Sequence, residues 1–445
     1  MREVNLTEGS IFRKLIGFSM PMIAGNLLQQ IYNLADTLIV GRYIGPDALA
    51  SVGSAYTLMI FITSIIIGLC MGSGAFFSAD YGAADQRKLR EDISLSFWFI
   101  LAVTVVVYLI IYPGMNLILQ LLQTPQELMT MTREYVTVVF VGIFFVFLYN
   151  FYSYLLRGMG NSVMPLIFLA VSSVMNIVLD VWFVMGLRMG VSGAAWATVI
   201  AQALAGIGIT VYSMMKLPLL RQHRGGSSLS LKRLREIIAN DVATGIQQSV
   251  MNFGILMIQG LVNSFGTVVM AAFAAAVKID TIAYMPAQEF GNAYSLFVSQ
   301  NYGAKKEDRI RRGTYIAVGS SAVFCVIISV LIWIFAGDLM RIFVDAEEVL
   351  IISEGVRYLR IEGAMYVGIG ILFLWYGYFR GIGRPHISLI LTVISLGTRV
   401  VLSYALAPNT PLGVVAIWCS IPVGWILADA AGLVFYRRRG KVASQ

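Results

Sequence analysis

Twelve apolar runs, each long enough to cross a bilayer as a helix, constrain this sequence more than any other feature. A transmembrane helix needs about 20 mostly apolar residues. The chain has 445 residues and is 58% hydrophobic but only 13% charged, whereas soluble domains are about a quarter charged. We therefore predict an all-α, polytopic membrane protein. The predicted spans are 15–40, 49–72, 93–112, 131–156, 163–185, 191–215, 237–264, 268–297, 314–336, 351–378, 386–406 and 412–436.

The distribution of Lys and Arg predicts the orientation of these spans. If both termini are cytoplasmic, the inward-facing segments carry 24 of the 32 basic residues and the outward-facing segments carry six. Basic residues concentrate in cytoplasmic loops, so we predict that both termini are inside. The net charge of +8 then reflects orientation and contact with lipid headgroups, and it does not indicate binding to nucleic acid. The polar first residues and the long first span argue against a signal peptide.

The sequence repeats itself at one period. The tetrapeptide RGMG at 157–160 returns as RGIG at 380–383, and DYGA at 80–83 returns as NYGA at 301–304. Gly45 and Gly266 close the first and seventh spans at the same offset. These matches predict two six-helix lobes, 1–225 and 226–445. Because six is even, the lobes are parallel repeats about an axis along the membrane normal, and a central cleft between them is expected.

Polar stripes run along several spans of the first half. Since lipid cannot satisfy polar groups, these stripes must face each other or a water-filled cavity. Hydrogen bonding between packed helices is the simpler explanation for most of these residues taken singly. The stripes are Gln29, Tyr32, Asn33 and Asp36 in the first span, Asn150, Ser153 and Arg157 in the fourth, Ser173, Asn176 and Asp180 in the fifth, and Thr198 and Gln202 in the sixth.

Asp36 and Asp180 stand apart from the other polar residues. An ionised carboxylate at the middle of a membrane costs several kcal/mol unless it is paired, and no Lys or Arg lies mid-span in the first half. Burial and a second nearby carboxylate both favour the neutral acid. Counting one repeat onward from each aspartate reaches Met257 and Ser403, so the second half lacks both acids. We expect this pair to carry a coupling ion, H⁺ or Na⁺.

Pro21 interrupts the first span before the Gln29 stripe. Proline removes a backbone hydrogen bond and kinks helices, although transmembrane helices tolerate it well. Because Pro21 lies on the same helix as Asp36, a hinge role is one of two open interpretations. The other is a proline that interrupts the helix without a functional role.

The second half has its own set of polar residues within spans. A charge-neutralised structural network is one interpretation of this set, with Lys278 about three turns from Glu289 and Arg399 available across helices, and a substrate site or gate is the other. We expect Asp241, at the start of the seventh span, to be a solvated acid near the cytoplasmic entrance. The network residues are Lys278, Asp280 and Glu289 in the eighth span and Arg399 in the eleventh.

Several classes of function lack their sequence signals. No zincin, serine-hydrolase or P-loop motif is present, so we predict neither an enzyme nor an ATPase, and we expect no catalytic residues, no metal site and no cofactor beyond the coupling ion. The three cysteines lie apart in apolar runs and both histidines lie in predicted loops. Transport must then be driven by an ion gradient.

The two repeats, the Arg-Gly-x-Gly turns and the acids of the first and fifth spans together resemble a multidrug and toxic compound extrusion (MATE) transporter, most closely the prokaryotic DinF-like branch. The resemblance covers essentially the whole chain. It implies a cation site in the N-terminal lobe at Asp36, Asn176, Asp180 and Thr198, with matches at Pro21 and Tyr32, and a substrate pocket that includes Gln29 and Asn150.

The resemblance implies a secondary antiporter that exports cationic or amphiphilic compounds in exchange for H⁺ or Na⁺. Its expected setting is the inner membrane, as a monomer that contacts lipids and small-molecule substrates. The NorM-like branch keeps acids in the seventh and tenth spans, whereas Glu354 and Glu362 here fall near the start of the tenth. An alternative is a flippase for a lipid-linked saccharide, which needs basic residues such as Lys278 and Arg399 free in the cleft.

Overall fold

The computed structural model describes residues 4–121, 124–221 and 230–442, which are almost entirely helical. A π-helical turn, Val181–Gly186, follows the sixth helix directly. The α-helices are α1 (Ile11–Tyr43), α2 (Pro46–Gly82), α3 (Gln86–Leu121), α4 (Gln126–Val141), α5 (Ile143–Gly158), α6 (Val163–Asp180), α7 (Gly190–Lys216), α8 (Pro218–Arg221), α9 (Leu231–Asn263), α10 (Thr267–Gly303), α11 (Glu307–Arg341), α12 (Val349–Gly363), α13 (Tyr366–Gly381), α14 (Pro385–Leu406) and α15 (Val414–Val442).

Every predicted span coincides with a long helix or a broken pair of helices. Among the described residues, eight helices are long and apolar enough to cross a membrane, and two bent pairs raise this number to ten. The bent pairs are α4 with α5, at 41°, and α12 with α13, at 52°. The remaining two spans, α1 and α9, are long helices with polar stripes. The prediction of an all-α, polytopic membrane fold is therefore confirmed.

Several helices run well past the predicted ends of their spans. The second span was expected to end at residue 72, but α2 continues to Gly82, and α3 continues to Leu121 instead of 112. Hydropathy marks where a helix leaves hydrocarbon, but a helix ends only where its backbone is redirected or capped. The polar ends of α2, α3 and α9 therefore form helical structure beyond the apolar spans.

Turns with a left-handed backbone recur at the repeat period. Positive φ occurs at Gly45 and Gly266 (120° and 98°) and at Gly160 and Gly383 (88° and 74°). The same backbone recurs at Ala84 and Lys305, with φ of 56° and 57°. Glycine adopts this conformation without steric cost, whereas a Cβ penalises it. The two halves therefore repeat their turn geometry as well as their sequence.

By packing, the chain divides into two compact units. Unit 1 comprises Met1–Thr7, Met20–Ser249 and Gly303–Lys305, and unit 2 comprises Glu8–Ser19, Val250–Tyr302 and Lys306–Gln445. Unit 1 thus includes most of α1, all of α2 to α8 and the first part of α9. The predicted boundary at 225/226 lies outside the described residues, and the division into lobes 1–225 and 226–445 stays a prediction.

Aromatic side chains fill the interior of each unit. In unit 1 the rings of Phe77 and Phe151 meet edge to face with their centroids 5.7 Å apart. In unit 2 the Trp418 ring stacks on Phe273 at 5.3 Å and meets Tyr358 edge to face at 4.8 Å. Such pairs add about 0.5–1.5 kcal/mol beyond their buried area. They fix the helices that carry the polar residues described next.

Candidate functional site

The polar stripe of α1 lies in unit 1 and ends at Asp36. Tyr32 and Gln29 share a side-chain hydrogen bond one turn apart, while the Thr37 hydroxyl donates to the carbonyl of Asn33 at 2.8 Å. Asp36 is half-buried, and its Oδ1 atom is buried without a hydrogen-bond partner among the described residues. Pro21 lies inside α1, which continues through it as one helix, and the hinge role stays a prediction.

Asn176 and Asp180 lie one turn apart on α6 and are both buried. Asp180 is 0% exposed and Asn176 is 2% exposed. None of their four side-chain polar atoms has a hydrogen-bond partner among the described residues. Asp180 is also the last α-helical residue before the π-helical turn Val181–Gly186, and π-turns inside helices occur frequently at functional sites. The regular α-helical geometry of the fifth predicted span therefore ends at Asp180.

The structure brings the predicted pair of aspartates, both in unit 1, within reach of each other's charge. Asp36 and Asp180 interact electrostatically, and Tyr135 of α4, a buried residue, interacts with both. Tyr32 interacts with Asp36 as well. No ion pair among the described residues includes either aspartate. Tyr135 was not among the predicted residues, because a tyrosine in an apolar span is as well suited to packing as to a polar site and gives no local signal.

The other predicted polar residues of unit 1 bond mainly along their own helices. The Thr198 hydroxyl donates to the carbonyl of Ala194 at 3.1 Å, and the Asn150 amide donates to the carbonyl of Val146 at 2.8 Å. Such bonds satisfy a polar side chain without a neighbouring helix. Each of these two side chains keeps a lone pair that a ligand can use.

Ser153 and Gln202 keep polar atoms that are buried and unpartnered. The Ser153 hydroxyl and the Oε1 atom of Gln202 have no hydrogen-bond partner among the described residues. Gly142 stands at the bend between α4 and α5, and a Cβ there would overlap Oε1 of Gln202. A small residue at the bend therefore makes room for the amide of α7.

The arrangement of unit 1 is suited to holding a cation. Two carboxylates lie near each other without a basic partner in the described part of the chain, together with the amide oxygen of Asn176 and the hydroxyl of Tyr135. Leaving such groups ionised in a dry interior is costly, so a proton or a small cation at the pair lowers the free energy of the buried state. The chemistry available is reversible binding of a monovalent cation.

A second buried polar network lies in unit 2, around Asp280. Tyr366 donates from its hydroxyl to Oδ1 of Asp280 at 2.6 Å. Glu362 forms side-chain hydrogen bonds with Asp280 and Tyr358, and Arg399 interacts electrostatically with both acids. Glu362 was expected near the start of the tenth span and away from its middle, but it lies at the break between α12 and α13 and is 1% exposed. That expectation is wrong because the helix break could not be read from the sequence.

Lys278 and Glu289 do not meet. Lys278 is exposed and belongs to no ion pair among the described residues. Glu289 is buried, and its Oε1 accepts a hydrogen bond of 3.1 Å from Asn292, which in turn accepts one of 2.9 Å from Arg380. The pairing of Lys278 with Glu289 is therefore wrong: Glu289 belongs to an interior network with Arg380, and Asp280 and Arg399 belong to another.

Asp241 also differs from its expectation. It is 0% exposed, although a solvated acid was expected. Its Oδ2 accepts a hydrogen bond of 2.5 Å from Ser73 of α2, and Asn240 donates to its Oδ1 at 3.3 Å. The expectation failed because α9 packs closely against α2 at Asp241, where Gly72 leaves room for the approach. Hydropathy alone cannot reveal this packing.

The fold and the unpaired acids of unit 1 together define a class of protein. Internally repeated helices that cross a membrane, with unpaired acids inside them, are typical of multi-pass secondary transporters. The MatE family model matches residues 21–182 and 243–405, which is one match in each repeat. The chain therefore belongs to the MatE family, the MATE multidrug efflux transporters.

Similar proteins cover nearly the whole chain. The probable multidrug resistance protein YpnP of Bacillus subtilis is 29% identical over 443 residues, covering 98% of this chain and 97% of its own. The probable multidrug resistance protein NorM of Thermotoga maritima is 24% identical, covering 96% and 92%. The multidrug export protein MepA of Staphylococcus haemolyticus is 22% identical, covering 98% and 95%. The family recognised from the sequence is confirmed, while the DinF-like branch stays a prediction.

Solved structures support the same fold. An outward-facing multidrug resistance MATE transporter of the MOP superfamily superposes with a TM-score of 0.91 at 23% identity, covering 100% of this chain and 99% of that one. A MATE structure in a bent conformation gives 0.90 at 23% identity and full coverage of both chains. These likenesses confirm the predicted twelve-helix, two-repeat fold.

Proposed function

We propose that this protein exports cationic or amphiphilic organic compounds in exchange for H⁺ or Na⁺ by alternating access. The observation that carries the proposal is the pair Asp36 and Asp180, which lie near each other, with buried carboxylate oxygens and no basic partner among the described residues. An empty, doubly ionised pair is costly in a dry interior. Loading one cation from outside and releasing it inside supplies the free energy that moves substrate outward.

In this proposal the residues of unit 1 divide between the ion and the substrate. Asp36, Asp180, Asn176 and Thr198 bind the coupling ion, because they supply carboxylate, amide and hydroxyl oxygens. Pro21 serves as a hinge of α1. The substrate cavity is proposed to be lined by Gln29, Tyr32, Asn33, Asn150, Ser153 and Gln202.

The setting of the protein is part of the proposal. We place it in the inner membrane as a monomer with both termini in the cytoplasm, in contact with lipid headgroups through its basic loops. The bias of Lys and Arg toward the predicted inward segments supports this orientation. Its partners are small-molecule substrates and lipids, and the coupling ion is the only cofactor.

The flippase alternative gains nothing from the comparisons, whose relatives are described as multidrug resistance or export proteins. A flippase needs basic side chains free to hold a pyrophosphate. Of the two basic residues named for this alternative, Lys278 is exposed and unpaired among the described residues, but Arg399 interacts electrostatically with Asp280 and Glu362. The basic pair that a flippase needs is therefore not free as a pair.

Efflux of a fluorescent lipophilic cation from proteoliposomes, under an imposed pH gradient and then a sodium gradient, tests the proposal. Asp36→Asn and Asp180→Asn are each expected to abolish gradient-driven efflux while the protein stays folded in detergent. Asp47→Asn is the matched control, because Asp47 is an exposed acid of unit 1, and it should transport like the wild type. Wild-type transport by either test variant contradicts the proposal, and the gradient that drives transport identifies the ion.

A further inference from the structure

The first part of α9 is packed tightly against α2 within unit 1. A Cβ on Gly68 would lie 2.6 Å from the Cα of Gly245, and one on Gly72 would lie 2.8 Å from the Cα of Asp241. Only glycine permits such an approach of two helices. We call this contact, between residues 64–73 of α2 and 240–249 of α9, the α2–α9 seam.

The seam encloses one carboxyl group that the proposed transport site does not use. Asp241 is 0% exposed, and its polar contacts are neutral: the Ser73 hydroxyl at 2.5 Å from Oδ2 and the Asn240 amide at 3.3 Å from Oδ1. The titratable groups that face it are the Cys70 thiol of α2 and the Asp92 carboxylate of α3. Neither can supply a positive charge.

The nearby cation Arg233 is already engaged. Its guanidinium binds both carboxylate oxygens of Asp92, one at 2.8 Å from Nε, and lies 3.6 Å from Oδ2 of Asp80. It also stacks over Phe76 at 4.5 Å and binds Glu236 at 3.0 Å. Arg233 therefore fixes the first turn of α9 to the ends of α2 and α3, and Asp241 has no countercharge among the residues that the structure describes.

The protonation state that Asp241 favours depends on whether the seam is closed or open. While the seam is closed, an ionised Asp241 lacks both water and a cation, so the closed seam favours the protonated acid. If the seam opens, water reaches the carboxyl group and the ionised form becomes favourable. A group that binds a proton more tightly in one of two states shifts the equilibrium between the states with pH.

The internal repeat gives a reason for the seam to open. By sequence, α9 is the first helix of the second half, yet its residues up to Ser249 pack within unit 1. Alternating access requires segments of the two sequence halves to separate on the side that opens. The ends of α2 and α9 that carry Arg233 are on the side predicted to be cytoplasmic.

We propose that Asp241 is a proton-binding site that latches the α2–α9 seam: protonated Asp241 holds the seam closed, and opening toward the predicted cytoplasmic side releases its proton. The inference rests on the proposed function only in requiring an alternating-access cycle. It assigns a proton-binding role to a carboxyl group outside the Asp36 and Asp180 pair. Its test can be read without any transport measurement.

Electron–electron distance measurements test the latch directly. Spin labels at Gln86→Cys of α3 and Leu231→Cys of α9, both exposed sites, report on the seam in nanodiscs. All three native cysteines are replaced by alanine, so Cys70 cannot contribute to any response. As pH rises, the population with the longer distance between labels, in which the seam is open, should grow relative to the closed population. The ratio of the two can change by up to about tenfold per pH unit, which is the limit for one proton.

The variants separate the latch from its alternatives. Asp241→Asn should keep the seam closed with no pH response, whereas Asp47→Asn, which changes an exposed acid of the same unit, should respond like the labelled parent. If Asp241→Asn does not fold, Ser73→Ala serves in its place. Ser73→Ala removes a hydrogen-bond donor that favours the ionised form of Asp241. In this variant the pH range over which the open population of the seam grows should therefore extend to higher pH. The proposal is overturned if the distance distribution of the labelled parent does not change with pH. It is also overturned if Asp241→Asn or Ser73→Ala shows the same pH response as the parent.

A disulfide across the seam supplies a second, independent test of the latch. The hydroxyls of Ser64 and Ser249 are 3.4 Å apart, close enough for cysteines at both positions to bridge. In the background without native cysteines, oxidised Ser64→Cys/Ser249→Cys should lose transport and regain it on reduction. Undiminished transport by the oxidised protein would show that the seam need not open, and the latch would be rejected while the proposed antiport stands.

Discussion

The hydroxyl of Tyr366 donates a 2.6 Å hydrogen bond to Oδ1 of Asp280 in the interior of unit 2. Glu362 shares a side-chain hydrogen bond with Asp280, and Arg399 interacts with both acids. Arg399 lies close enough to offset part of the negative charge of both acids, although it forms no ion pair with either among the described residues. The Tyr366 hydroxyl is therefore an important partner of the Asp280 carboxyl group.

Tyr366→Phe should therefore destabilise unit 2. Removing a donor from a buried carboxylate costs about 1–3 kcal/mol, because the ring still fills its space while the acid loses a partner. Thermal unfolding in detergent measures the loss. Tyr404→Phe is the control, because the Tyr404 hydroxyl is a partner of the Met257 carbonyl at 3.2 Å on an exposed side chain. An equal loss in both variants would argue against the Asp280 contact as the cause.

Gly142→Ala should impair the bend between α4 and α5. The added Cβ would overlap Oε1 of Gln202, and overpacking of this kind costs about 1–3 kcal/mol. Gly53→Ala is the matched control in the same unit, because no atom lies within 4 Å of its added Cβ, and helix propensity favours alanine there. Thermal stability and efflux rate should both fall in Gly142→Ala only. Adding Gln202→Ala should recover part of the loss, and no recovery would contradict the proposed clash.

Periodicity and hydropathy predicted most of the fold, and their limits are physical. A span of 20 apolar residues predicts a helix in lipid, and the offset between the RGMG and RGIG turns predicts the repeat. Neither signal locates a helix break that no proline marks, so the position of Glu362 at the break before Tyr366 was misjudged. The π-helical turn after Asp180 was missed for the same reason.

The candidate site, like the fold, could be predicted from the sequence only in part. The spacing of Gln29, Asn33 and Asp36 places them on one helix face, because the helical period is fixed by backbone geometry. Which helices meet is decided by packing, and packing depends on small residues far away in sequence. Gly72 allows α9 to bury Asp241, a contact 169 residues distant that no local pattern encodes.

Glu289→Gln and Lys278→Ala should differ sharply in stability. Glu289 is the acceptor in a chain that runs through Asn292 to Arg380, which is 3% exposed. Losing its charge weakens a buried network by about 1–3 kcal/mol. Lys278 is exposed and unpaired among the described residues, so its substitution should stay within about 0.5 kcal/mol. Ion coupling in proteoliposomes should survive in both. Lost coupling here, with Asp36→Asn unaffected, would move the coupling site to the second half.

Tyr135→Phe should weaken coupling without unfolding the protein. Tyr135 is a buried residue within electrostatic reach of Asp36 and Asp180, so we expect its hydroxyl to help set how tightly the pair holds its cation. Removing one polar contact is worth about 1 kcal/mol, which corresponds to about a fivefold lower rate of gradient-driven efflux. Tyr152→Phe is the control, because Tyr152 is equally buried in unit 1 and should transport normally. A Tyr135 variant with wild-type rates at every imposed gradient would remove this hydroxyl from the site and leave the carboxylates and Asn176 to bind the ion alone.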